Sequence, residues 1–217
     1  MGAGPLGWLR RALQRRRYRR ICRARIAMRI PQIQRDLAAA DPGFTFVMGD
    51  SHAEFLCAHP LGRRPVVNGG IGGISTGGYA ERLPALRFRH RAGVAVLVVG
   101  SNDLSVRVRP LSPEAVARFE AAAAALIVWL HARADRVVVL ALPPITQVPG
   151  QEREAAAVED YSARLARIAG DHGGEVADPC AGLRAGPGGL ARPGALSDGV
   201  HLADYAAAAA RVGAILG

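Results

Sequence analysis

From residue 44 onward, short apolar runs alternate with longer stretches of helical periodicity. Phe44 to Met48, Pro65 to Asn68, Val94 to Val99, Arg136 to Leu140 and Glu175 to Ala177 read as strands. Between and after them, Thr76 to Leu86, Pro113 to Arg133, Gln151 to Gly170 and Ala203 to Leu216 carry the spacing of helices. The run Val94-Ala95-Val96-Leu97-Val98-Val99 is apolar on both faces, so it needs cover on both sides. Strands of this kind alternating with helices predict a parallel sheet between two helical layers, a three-layer α/β/α sandwich with five strands.

The first 36 residues have a different pattern. Leu6, Leu9 and Leu13 share one helical face, but Arg10, Arg17 and Arg20 interrupt it, and Ile26, Ile30 and Ile33 follow another. This predicts a helix that lies on the body or on a surface, ending near Pro31, with Asp41-Pro42-Gly43 as the turn into the body. The division expected is an Arg-rich helical extension over residues 1–36 and one domain over 37–217. A chain of 217 residues, half of them hydrophobic, suffices for one substantial core and not for two ordinary ones.

Charge sharpens this division. The formal net charge is +10, and residues 1–36 hold 11 Arg against the single acid Asp36, while the remaining 181 residues hold 17 Arg and 17 acids. The extension can neutralise an anionic membrane surface or nucleic acid, or it can be a solvated helix in a chain that uses Arg throughout and no Lys. Its removal is expected to leave chemistry in the body unchanged. Cys22, Cys57 and Cys180 are too widely spaced for a metal motif or a disulfide framework. The N-terminus lacks the apolar run of a secretory signal, Leu6 spoils a myristoylation pattern, and no segment is long enough to span a bilayer. These features predict a cytoplasmic protein, with peripheral attachment to a membrane as the variant the Arg cluster allows. No obligate protein partner is expected.

In an open α/β sheet ligands bind outside the carboxyl ends of the strands. There the first strand runs into Gly49-Asp50-Ser51-His52, a sharp strand-to-helix turn that exposes a serine oxygen. The second runs into Asn68-Gly69-Gly70-Ile71-Gly72-Gly73, whose glycines permit close approach of backbone N–H groups, and the third into Gly100-Ser101-Asn102-Asp103. Before the closing helix stands Asp198-Gly199-Val200-His201. A spacing of three on a turn lets Asp198 hold the imidazole of His201 in one tautomer, its other nitrogen free to face a hydroxyl. Each block has an ordinary structural reading as a turn or helix cap when taken alone. Their joint occurrence in this order does not.

With these four blocks the body, residues 44 to 216, resembles the SGNH (GDSL-like) hydrolase superfamily. The resemblance implies the flavodoxin-like SGNH fold, a serine esterase activity and no cofactor or metal. It makes Ser51 the nucleophile, His201 the general base and Asp198 its orienting partner, and assigns the oxyanion hole to the Ser51 amide, the Gly73 amide and the Asn102 side chain. Asp50, His52, Pro143 and Pro144 are the expected substrate contacts, the prolines from the loop Leu142 to Thr146 after the fourth strand. His52 stands where the commonest pattern has Leu, and Ile74 where it often has Asp. Gly-Asp-Ser-His-Ala is similar to the form in SGNH domains associated with O-acyl groups on glycans.

An α/β-hydrolase elbow is the nearest enzymatic rival, but Ser51 follows the first strand and Asp198 lies three residues from His201 instead of on a separate strand end. Further alternatives are an O-acyltransferase using the same site and a non-catalytic glycan- or lipid-binding module. Asp50, Asp103 and Asp178 lack the partners of a metal site. The small, apolar loops flanking the site, including the Gly/Pro-rich Ala185 to Gly194, suit short acyl esters of a small molecule, carbohydrate or lipid.

Overall fold

The computed structural model describes residues 5–217; for residues 5–12, 14, 15, 18 and 19 it describes the backbone alone. The side chains of Leu6, Leu9, Arg10, Arg11, Arg15 and Arg19, which entered the reading of the extension, therefore lie outside the described residues. Five strands, β1 (Thr45–Gly49), β2 (Val66–Gly70), β3 (Ala92–Val98), β4 (Ala134–Leu140) and β5 (Glu175–Ala177), form one all-parallel sheet in the order β2-β1-β3-β4-β5. This is the flavodoxin-like order, whose switch point lies where the chain leaves β1 to either side.

Side-chain alternation along the strands builds two cores. Phe46, Met48, Ala95, Leu97, Val137 and Val139 face one side, beneath α1 (Pro5–Ala39), α3 (Thr76–Ala80), α4 (Pro113–His131) and α5 (Ala156–Asp171). Val47, Val94, Val96, Val98, Val138 and Leu140 face the other, beneath α2 (Ser51–Leu56) and α6 (Tyr205–Leu216). Both faces of β1, β3 and β4 are thus dry, as their uninterrupted apolar runs require.

Three elements depart from expectation. α1 passes Pro31 and continues to Ala39, because Ile33 and Leu37 beyond the proline are fully buried against the sheet and their packing outweighs the lost hydrogen bond. Thr76 to Leu86 breaks into α3 and a 3-10 turn, Leu83–Ala85, where Pro84 lacks an N–H to continue the helix. Residues 151–155 do not join α5. The Val106 amide donates to the Glu152 carbonyl (3.2 Å) and the Glu154 amide to the Leu104 carbonyl (2.8 Å), so this segment folds over the loop that follows β3.

Candidate active site

Gly49 ends β1 with φ +154°, and a Cβ there would lie 1.8 Å from the Val98 carbonyl oxygen, so glycine is the residue that lets β1 and β3 stay paired up to the turn. Asp50 is the N-cap of α2, its carboxylate accepting the His52 amide at 2.9 Å. This places Ser51 in the first turn of a helix at the carboxyl edge of the sheet, with a first-turn amide that the helix does not use.

The Asp198 turn is closed around glycine as well. Gly199 has φ +89°, and a Cβ on it would meet Val148 Cγ2 at 2.3 Å. Asp198 accepts the Val200 amide (3.1 Å) and the His201 amide (2.9 Å) with one oxygen and meets His201 Nδ1 with the other at 2.7 Å. The cap of α6 is Asp204, not Asp198, so Asp198 is left for the imidazole. Burial pulls the Asp198 carboxyl upward, but the His201 side-chain and backbone hydrogen bonds outweigh it and hold the group at about 2. With Nδ1–H donated to Asp198, Nε2 of His201 presents its lone pair to Ser51 Oγ at 2.8 Å. An array of this kind can take the proton of a serine hydroxyl and stabilise the resulting imidazolium.

Gly73 has φ +80° and lies in the loop between β2 and α3. Asn102 lies in a 3-10 turn after β3 and donates Nδ2 to the Ile74 carbonyl at 3.0 Å, which ties it to that same loop and leaves its second amide hydrogen uncommitted. The adjacent Asp103 accepts the Thr76 amide (2.9 Å) and hydroxyl (2.8 Å), fastening the third block to the start of α3.

The expected substrate contacts sit behind this array. Asp50 is buried, and burial pushes its carboxyl up to about 6 in spite of the His52 amide. His52 is buried too, its Nδ1 2.8 Å from the Tyr205 hydroxyl and its Nε2 without a protein partner. Burial first, and the nearby His201 second, lower His52 to about 3, so its ring is neutral. Pro143 and Pro144 are buried, and Pro143 shares with His52, Tyr205 and Cys180 a cavity of about 10 Å³, room for one water and no acyl group. On the open side, a groove beside Asp198 runs between Thr146, Val148 and Gln151 and the strip from Ala191 to Gly199. Among the described residues no group of three or more His, Cys, Asp or Glu side chains is placed to hold a metal ion.

Sequence reasoning missed two groups of residues. Phe55 packs edge-on to His201, with ring centroids 5.0 Å apart, and its place four residues beyond Ser51 on α2 was the available signal; Tyr205, the first residue of α6, holds His52 and carried no such signal. Arg25, Arg29 and Glu54 belong to the second group. Arg25 pairs with Glu54 at 2.6 Å, and Arg29, 7% exposed, donates to the carbonyls of Gly70 (3.0 Å) and Asn68 (2.9 Å).

Fold and array together define a parallel α/β protein with a hydrogen-bonded Ser-His-Asp set at the carboxyl ends of its strands. The chain belongs to the GDSL-like lipase/acylhydrolase family, whose model matches residues 39–209. No curated protein matches its sequence. Among solved structures it is similar to a Streptococcus pneumonia protein named for platelet activating factor, at TM-score 0.74 and 19% identity over 95% of this chain and 99% of that one. It is also similar to the lipase/acylhydrolase from Enterococcus faecalis (TM-score 0.63, 18% identity, 80% and 95% covered). A third is the acetyl xylan esterase AlAXEase (0.64, 18%, 80% and 99%). At these identities the likeness is one of fold. No helix among the described residues is long and apolar enough to cross a membrane.

Proposed function

We propose that this protein is a serine hydrolase that cleaves carboxylic esters through an acyl-Ser51 intermediate. One observation carries the reading: the continuous hydrogen-bonded path from Asp198 through His201 to Ser51 Oγ, at 2.7 and 2.8 Å. His201 Nε2 takes the Ser51 proton as Oγ attacks the ester carbonyl. The oxyanion that forms is met by the Ser51 amide, the Gly73 amide and the free hydrogen of Asn102 Nδ2, donors worth about 3 kcal/mol each in comparable sites. His201 then returns the proton to the departing alcohol, and water resolves the acyl-enzyme by the same route. The His201 side chain is 28% exposed, so water reaches the base for the second half of the reaction.

The substrate class follows from the walls. The open groove beside Asp198 is lined mostly by small or uncharged residues, among them Thr146, Val148, Pro193, Gly194 and Leu196, with Arg192 as the one cationic residue of its lining. This supports short, neutral acyl esters, whether of a sugar or of a lipid alcohol; the neighbours named as acetyl xylan esterase and as lipase/acylhydrolase span that range. Labelling by a fluorophosphonate probe and turnover of p-nitrophenyl acetate test the reading. Both are expected in the wild type and absent in Ser51→Ala; full labelling of the alanine variant would remove Ser51 from its role.

A further inference from the structure

The second block of the sequence is held from outside the domain body as the sequence divides it. Glu54, three residues after Ser51 on α2, bridges with both oxygens: Oε1 receives Arg25 Nη2 at 2.6 Å and Oε2 receives the Gly72 amide at 2.9 Å. One turn further along α1, Arg29 donates Nε to the Gly70 carbonyl and Nη2 to the Asn68 carbonyl, with a longer contact to Asn68 Oδ1 (3.3 Å). Asn68 in turn accepts the Gly70 amide (2.9 Å) and donates to the Glu54 carbonyl (3.2 Å). The glycines of this block serve these contacts. A Cβ on Gly72 would lie 2.9 Å from Arg25 Nε, and one on Gly70 would lie 2.2 Å from the Glu54 amide nitrogen. Side chains at either position would push the loop off its clamp.

Residues 70–74 contain one of the two oxyanion donors other than Ser51 and anchor the other. Gly73 follows the clamped Gly72 directly, and Asn102 hangs on the Ile74 carbonyl. We propose that Arg25, Arg29 and Glu54 are positioning residues that fix the Gly70 to Ile74 loop for oxyanion binding, which makes the Arg-rich helix part of the reaction apparatus. The proposal rests on the reading of Gly73 and Asn102 as oxyanion donors. Its physical basis is that donors act by being held in place before charge develops, so a loop free to drift by half an ångström loses a share of what it contributes.

The test uses the full chain with Arg25→Met, Arg25→Lys and Glu54→Gln, two readouts being taken on each. Arg25 is partly exposed, and none of these changes opens the core. In Arg25→Met and Glu54→Gln, kcat for p-nitrophenyl acetate is expected to fall about tenfold, less than the loss of a whole donor, with KM within about twofold. Amide hydrogen exchange in residues 70–74 is expected to quicken while β3 and β4 keep their protection. Arg25→Lys, which keeps the charge beside Glu54, should recover most of kcat. Faster exchange with unchanged kcat, or a fall in kcat with unchanged exchange, would overturn the proposal. A wild type that neither hydrolyses the ester nor takes the phosphonate would end the esterase reading instead, and exchange alone would then decide whether the clamp exists.

Discussion

Two histidines and two aspartates surround Ser51, and they have opposite fates. His201 and Asp198 lie toward solvent, 28% and 55% exposed, and meet each other at 2.7 Å; the carboxyl is held at about 2 and the imidazole can accept and release a proton. His52 and Asp50 flank the same serine in sequence yet are buried, and burial drives both toward neutrality, Asp50 up to about 6 and His52 down to about 3. One pair is built to carry charge and the other to avoid it. Residue type and closeness to the nucleophile therefore say little about role; exposure and a dedicated partner decide it.

Breaking the outer pair should have the largest effect. Ser51→Ala and His201→Ala are each expected to lower kcat/KM for p-nitrophenyl acetate by about 10⁴-fold or more, on precedent from other serine hydrolases, while thermal stability changes little. Asp198→Asn keeps an acceptor for the Val200 and His201 amides but not the ionised partner of Nδ1–H; kcat is expected to fall by about 10²- to 10⁴-fold. Wild-type rates in the Asn variant would show that the carboxylate is a turn former only. Because Asp198 is depressed to about 2, its contribution to the folded state is present above the ordinary carboxyl range and is lost only as pH falls through about 2. The Asp198 carboxylate thus stays ionised throughout the range above the ordinary carboxyl values.

The inner pair should appear in stability and not in rate. Asp50 binds its proton more tightly folded than unfolded, so its share of stability is full below about 4 and is lost as pH rises to about 6. His52 does the reverse: its share is present above about 6.5 and is lost as pH falls toward about 3. Between about pH 4 and pH 6 the two slopes, each about 1.4 kcal/mol per pH unit, oppose one another. Asp50→Asn, which can still cap α2, should leave a protein that loses stability on acidification from pH 6 to 4 more steeply than the wild type. His52→Gln should tilt the other way. Urea midpoints at pH 4.5 and 6.5 measure this, and parallel profiles for the two variants would show that neither group is desolvated as the structure places it.

What the sequence made legible follows the range of the interactions. The strands β1, β3 and β4 are readable because burial on both faces writes an uninterrupted apolar run; β3 and β4 begin two residues before the expected starts, and β3 ends one residue before the expected Val99. Asp198 and His201 were readable because a turn of three residues brings them together. The strand β2 was cut short at Asn68, since Gly69 and Gly70 look like loop and are strand. Residues 151–155 were read as helix because their tie to Leu104 and Val106 lies across the fold. The clamp was hidden for the same reason: Arg25 meets Glu54 across 29 positions and Arg29 meets Gly70 across 41, and no local pattern separates these two arginines from the nine others in the first 36 residues.

That difference within α1 yields the smallest expected effect on rate. The helix runs unbroken through residue 36, where the change in pattern and charge suggests a boundary, and its later part is core: Ile33 and Leu37 are fully buried and Arg29 nearly so. Deleting residues 1–36 would remove Ile33 and Arg29 together with Arg25 and leave Leu37 without the helix that carries it, so that truncation should cost both stability and turnover, against the expectation from composition. Deleting residues 1–20 is the sharper cut. It removes seven Arg and no acid, while Arg16, Arg17 and Arg20 among them are exposed. Turnover of p-nitrophenyl acetate is expected to stay within about twofold. Binding to liposomes rich in anionic lipid should weaken, as should the binding of the full chain when salt is raised, because surface attraction of this kind is screened over about 10 Å at 0.1 M. Unchanged binding after the cut would make the first half of α1 a solvated extension, and unchanged turnover after removal of residues 1–36 would remove the second half from the site.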